Sequence, residues 1–77
     1  MASTKESAKR KCARMHLDLE QALGHAADLY NVFAPAHPEH AEVAEAIGRQ
    51  IVIVQSMVED LWGLAWGKLP ETWEGWK

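Results

Sequence analysis

Apolar residues between Pro38 and Gly67 recur in a 3-4 rhythm through Ala44, Ile47, Ile51, Val54, Val58, Leu61 and Ala65. At about 100° per residue, that rhythm is one face of an α-helix. Val43, Ala46, Met57, Trp62, Leu64 and Trp66 widen the face well past half the circumference, and Val52 and Ile53 extend it further. A surface helix carries an apolar stripe of roughly 100°, whereas a helix that is apolar nearly all round is buried. The run Ile51-Val52-Ile53-Val54 is β-prone when taken alone. The rhythm continues on both sides of it in helical phase, and this decides for helix.

Upstream, Ala8, Cys12, Met15, Leu19, Ala22, Ala26, Leu29 and Phe33 keep an unbroken 4-3 spacing. Leu23 and Tyr30 broaden that stripe to about 120°, which suits a bundle better than a bare two-stranded coil. Ser3-Thr4-Lys5-Glu6 has the form of a capping box at its start. The stretch Ala34-Pro35-Ala36-His37-Pro38 breaks the pattern. Pro35 disfavours helical geometry at Ala34, and Pro38 suits the first position of a new helix with His37 near its cap. Glu39, Glu42 and Glu45 then lie near the positive end of the helix dipole. Gly67 reads as a left-handed C-cap with Pro70 just beyond.

The predicted fold is all-α, one domain over residues 1–77. It is an antiparallel two-helix hairpin with helix 1 at about 3–33, a turn at 34–37, helix 2 at about 38–66 and a short Trp-rich tail at 67–77. Residues whose numbers sum to about 71 lie level in such a hairpin. Lys9 then falls near Trp62, Lys5 near Trp66, Arg14 near Met57 to Asp60, and Gly24 beside Gly48.

Length sharpens this picture. Seventy-seven residues supply only one other long helix to cover helix 2, and chains below roughly 70–80 residues usually need disulfides, a metal or oligomerisation. Cys12 is the only cysteine, so an internal disulfide is excluded. The expectation is a homo-oligomer, a dimer closing into a four-helix bundle, with Ile47, Ile51, Val52, Ile53, Val54, Val58 and Leu61 at the interface. Gln55, Glu59 and Asp60 interrupt the longest apolar stretch, and the charged first residues lack the apolar core of a signal peptide. A cytoplasmic protein with no membrane partner is expected.

The net charge of −3 hides a polarity. Residues 1–16 hold five cations against Glu6, giving +4, and residues 17–77 hold three cations against ten acids, giving −7. The basic cluster of Lys9, Arg10, Lys11 and Arg14 could hold phosphates, but it spans under two turns on an otherwise acidic chain. The structural account is that it neutralises Glu59 and Asp60 opposite, with Lys5 and Lys9 over Trp62 and Trp66. Nucleic acid is therefore a disfavoured partner.

Four tryptophans fall in the last sixteen residues, Trp62, Trp66, Trp73 and Trp76. Trp62 and Trp66 share a helix face and are expected to pack. Trp73 and Trp76 either fold back over the open end or form an exposed contact patch. Removal of residues 70–77 is expected to leave the helices intact. The four histidines carry no HExxH or Glu-x-x-His pattern, and only His16 with Glu20 could chelate from one helix face, so no metal or other cofactor is expected. Cys12 sits on the seam as a small hydrophobe, and no nucleophile–base arrangement suggests catalysis. Gly24 and Gly48 weaken their helices by about 1 kcal/mol each, marking either tolerated weak spots or a notch for a ligand or second hairpin.

The functional expectation is a small, non-enzymatic, oligomeric protein acting through protein–protein contact, as an adaptor or an inhibitor of a larger complex. Compact chains of this kind are common among accessory proteins of phages and mobile elements. The expected partner surface is Trp62, Trp66, Trp73 and Trp76 with Lys9, Arg10 and Arg14. Two alternatives stand beside it: sequestration of a small ligand between protomers, and association with nucleic acid through the basic helix.

Overall fold

A computed structural model of the chain describes residues 4–76. Two long helices, α1 (Thr4–Phe33) and α2 (Pro38–Trp66), form an antiparallel hairpin, and a 3-10 turn, η1 (Glu74–Trp76), packs back on α1. Ser3 of the expected capping box lies outside the described residues. The molecule is a rod of 52 × 21 × 19 Å with a radius of gyration of 15.5 Å, against about 11–12 Å for a compact chain of this length.

The connection follows from its two prolines. The Ala34 N–H still reaches the Tyr30 carbonyl at 2.8 Å, and His37 and Ala36 both donate to the Phe33 carbonyl, at 2.7 and 3.2 Å. Pro38 has no N–H to satisfy and opens α2 at its first position. His37 is the N-cap residue through its carbonyl, which accepts from His40 and Ala41, but its side chain makes no capping bond. Its ring instead stacks on His40 at 4.9 Å, and the Phe33 ring meets both edge-on.

At the other end Gly67 stops α2, its N–H donating to the Gly63 carbonyl at 3.0 Å. Its φ of 90° is positive, as a left-handed cap requires, but its ψ of −125° lies outside the left-handed helical well. Only glycine occupies such a region without strain.

The seam between the helices differs from the one that apolar spacing alone selects. On α1 the inward positions are Lys9, Cys12, His16, Leu19, Leu23 and Ala26, with Cys12, His16 and Ala26 buried and Ala13, beside this row, fully so. On α2 they are Ala41, Ala44, Gly48, Ile51, Gln55, Val58 and Trp62, with Ala41, Ala44, Val58 and Trp62 buried. Both rows keep helical 3-4 spacing, but each admits residues that are polar or lack a side chain. The core is consequently thin, with Ala26, Ala41 and Ala44 buried in the turn half and a cluster of Cys12, Val58 and Trp62 towards the open end.

The two mid-helix glycines are not forced by contact. A Cβ at Gly24 would meet nothing within 4 Å, and one at Gly48 would lie 3.6 Å from Leu23 Cδ1 and 3.9 Å from Ala26 Cβ, ordinary packing distances. Gly24→Ala and Gly48→Ala are each expected to raise the unfolding free energy by about 0.5–1 kcal/mol in urea titrations. Gly67→Ala should lower it by about 1–3 kcal/mol. If either mid-helix substitution is destabilising, a second chain approaches that glycine closely.

Candidate functional site

The open end of the hairpin is closed by aromatic packing. Trp62 is 2 % exposed, and Trp66, Trp73 and Trp76 surround it edge-to-face at centroid distances of 4.8, 5.3 and 5.7 Å. The edge-to-face geometry suits the ring quadrupoles. The Trp62 indole N–H donates to the Lys68 carbonyl at 3.0 Å, which ties the chain just past the helix back onto it. In the tail the Glu74 N–H bonds the Thr72 hydroxyl and the Trp76 N–H bonds the Trp73 carbonyl, shaping the 3-10 turn.

Lys9 covers this cluster. Its ammonium lies 5.5, 5.7 and 4.9 Å from the centroids of Trp62, Trp66 and Trp76, within cation–π range of all three. Lys9 therefore does what the level rule assigned to it, whereas Lys5 is exposed and makes no ring contact. Glu59 is met by His16, Nε2 to Oε2 at 3.2 Å, and not by the basic cluster. A carboxylate only accepts, so this contact makes Nε2 the donor. The other face of the imidazole stacks on Trp73 at 4.2 Å and 9°, and its Nδ1 is buried without a partner. His16 is thus the anchor of the tail, not half of a chelating pair with Glu20. Among the described residues no group of three histidine, cysteine or acidic side chains gathers to hold a metal.

These positions redistribute the expected partner surface. Trp62 is interior. Trp66, Trp73, Trp76 and Lys9 are half-buried against one another, and Arg10 and Arg14 are exposed. Arg14 lies 3.5 Å from Asp18 one turn on, a solvated pair of small energetic worth. The aromatic end is therefore a structural closure whose indoles are largely occupied. The tail stacks on buried His16 and covers Trp62, contacts that removal of residues 70–77 would take away.

The expected interface residues divide in the same way. Val58, 3 % exposed, belongs to the hairpin core, and Ile51 is half-buried towards α1. Both face α1 within the hairpin, because Trp62 and Ala44 set the inward direction of α2. Val52 and Ile53 are exposed on flanks of the helix. Ile47, Val54 and Leu61 remain on one exposed face, where Val43, Met57 and Leu64 join them.

That face is the second feature of the molecule. Val43, Ile47, Gln50, Val54, Met57, Leu61 and Leu64 follow 4-3-4-3-4-3 spacing, a heptad seam with one polar position. It lies about 100° around α2 from the inward row, and Met57 is 61 % and Leu64 88 % exposed. Leu29 and Phe33 of α1 lie beside Val43 and Ile47 in one shallow apolar groove, and Met15, Leu19 and Ala22 line another further along. One broad side of the hairpin is apolar, and the tail is folded against the other. Gln50 interrupts this outer row and Gln55 the inward one, so apolar spacing alone joins the two into a single wide face.

A third feature is a groove of about 450 Å³ at Gly48, lined by Leu23, Ala27, Tyr30, Asn31 and Glu45 among others. Gly24 does not line it. Cys12, close to the aromatic end, is buried, and its thiol points to the Val58 carbonyl at 3.8 Å. Burial raises the Cys12 pKa. The neutral thiol is therefore favoured by folding, and that stabilisation is lost as pH climbs through and above the ordinary thiol range.

Two outcomes follow. Trp73→Ala should cost about 1–3 kcal/mol in urea unfolding, below the ~3–5 kcal/mol typical of a fully buried tryptophan, and deletion of residues 70–77 at least as much. An unchanged midpoint would mean that the tail does not hold the hairpin shut. Cys12 should react with a disulfide reagent at mildly alkaline pH at least tenfold more slowly in the folded chain than in urea.

In the comparisons with known proteins, no family model, curated protein or solved structure matches this chain, so its function is argued from these surfaces alone.

Proposed function

We propose that this chain acts without catalysis, through contact with other proteins, as an oligomer of helical hairpins serving as an adaptor or an inhibitor of a larger complex. One observation carries the reading: the exposed heptad seam from Val43 to Leu64 on α2. Isolated apolar residues on a surface need no explanation, but a contiguous patch extending over the length of a helix marks an interaction site. The seam stands at the angle from the inward row that a helix needs to touch two neighbours in a bundle. The non-catalytic part of the reading draws on Cys12, whose buried, neutral thiol is poorly suited to act as a nucleophile.

Binding of a small ligand is the second reading, favoured by the groove at Gly48, where Tyr30 and Asn31 supply polar groups beside Leu23 and Ala44. Nucleic-acid binding is weaker still, since Lys9 is engaged by indoles and Arg14 by Asp18. Its signature would be affinity falling steeply with the logarithm of salt concentration.

Val54→Asp and Leu61→Asp test the main reading, because both sit on the outer seam and leave the hairpin core untouched. In light scattering behind size-exclusion chromatography, the unaltered chain should run larger than 8.6 kDa. Each variant should run as a monomer with unchanged helical circular dichroism. Assembly unaffected by both substitutions would remove the seam as the contact.

A further inference from the structure

We propose that the outer face is occupied by a second copy of this chain turned end for end, so that the turn of each hairpin lies on the aromatic end of the other. This rests on reading the outer seam as a protein contact, and adds both the occupant and its orientation.

Area favours a copy of similar extent. The chain exposes 5612 Å², whereas a compact monomer of 8.6 kDa exposes about 4,700 Å². The excess, roughly 900 Å², is close to the ~800 Å² that each partner contributes to an interface of standard size. The apolar side of the hairpin runs nearly its whole length, so its natural complement is another surface equally long, flat and apolar. A second hairpin is such a surface, and stacking two of them places four helices in two layers.

Two stackings keep every neighbouring helix antiparallel. With turns at opposite ends, α2 lies on α2 and α1 on α1. With turns at the same end, each α1 lies on the other copy's α2. Charge separates them. Residues 17–56, which form the turn half, carry Arg49 against Asp18, Glu20, Asp28, Glu39, Glu42 and Glu45, a net −5. The described residues of the aromatic half, 4–16 and 57–76, carry six cations against five acids, a net +1. Same-end stacking gains Lys11 opposite Asp60 by the level rule, but it sets −5 upon −5 within a width of about 20 Å. Opposite-end stacking removes that repulsion and sets each acidic half on a basic one, bringing Glu39 and Glu42 towards Lys68. Several like charges at short range outweigh two solvated pairs.

The seam itself fits a two-fold axis. Its midpoint is next to Val54, near the middle of α2, so opposite-end stacking overlaps the two hairpins almost completely. Val43 then meets Leu64, Ile47 meets Leu61, and Gln50 meets Met57, whose neighbours leave the amide a path to solvent. Trp73 and η1, on the other broad side, stay clear of the contact, while Leu69 borders its end at Leu64.

Pulsed dipolar spectroscopy on the full chain tests the orientation, with a nitroxide on Ala36→Cys in the exposed turn and Cys12→Ala removing the native thiol. Opposite-end pairing puts the two labels ~50 Å apart, since the turn lies about seventeen residues of helical rise from the axis. Separations near 20 Å would overturn the orientation while leaving the seam as the contact. A second readout is salt: raising it from about 50 to about 500 mM should weaken the opposite-end dimer several-fold and would strengthen a same-end one. If light scattering shows a monomer throughout the micromolar range, the second copy is overturned as occupant. Val54→Asp remains the separate test of the seam, read by the loss of whatever association is present.

Discussion

Towards the turn the seam between the two helices is built from small residues, and this thinness governs the rest of the structure. Ala26, Ala41 and Ala44, with Gly48 at the middle, bring the helices together while burying little side-chain area. At about 25 cal/mol per Å² of apolar surface removed from water, such a row stabilises far less than a row of leucines would. Most of the large aliphatics of α2, Ile51 and Val58 apart, are instead turned away from α1. A close-packed but shallow inner seam and a broad outer apolar face are thus consequences of one choice, the placement of small residues inward. Among the described residues Trp62 is the one large side chain buried almost completely.

The two ends of the rod meet this constraint differently. At the turn, Pro35 and Pro38 fix the chain reversal in the backbone, and Phe33, His37 and His40 pack above it. The other end has no covalent connection to hold the helices together, and the most concentrated packing is found there. Trp62 gathers three indoles, Lys9 closes over them, and the tail crosses to α1 through the stack of Trp73 on His16. The aromatic end therefore acts as a non-covalent counterpart of the turn. This explains why four tryptophans crowd the last sixteen residues of so small a chain without forming a free binding patch.

Helix positions, the break and the all-α hairpin were legible because they rest on local rules. Periodic apolar residues, two prolines and a terminal glycine act on the backbone within a few residues of themselves. The phase of each helix was less legible. Lys9 and His16 on α1, and Gly48 and Gln55 on α2, occupy inward positions that a reading of apolar residues passes over, so the sequence row drifted towards Met15 and Leu29 on one helix and Ile47 and Leu61 on the other. The reason is physical: Lys9 faces inward over Trp62 and Trp66 of α2 and Trp76 of the tail, and His16 faces inward against Trp73 of the tail. That arrangement is non-local, spanning more than fifty residues between His16 and Trp73. The pairing of Lys9 with Trp62 could be foreseen, since the register of a hairpin fixes levels. The stack on His16 could not, because no periodicity constrains a tail.

The tail and the outer seam lie on opposite broad sides of the hairpin, and this separation bears on how the molecule can work. A hairpin whose tail covered the outer seam would hide its apolar surface and be complete alone. Here the tail covers the side that includes His16 and Glu59, and leaves Ile47, Val54, Met57 and Leu61 in solvent. Closure of the open end thus stiffens the same α2 whose far side is exposed, fixing the seam before any partner arrives. A preorganised seam loses less conformational freedom on association than one that must order as it binds. The aromatic closure and the exposed seam are therefore coupled through α2, the one helix that carries both.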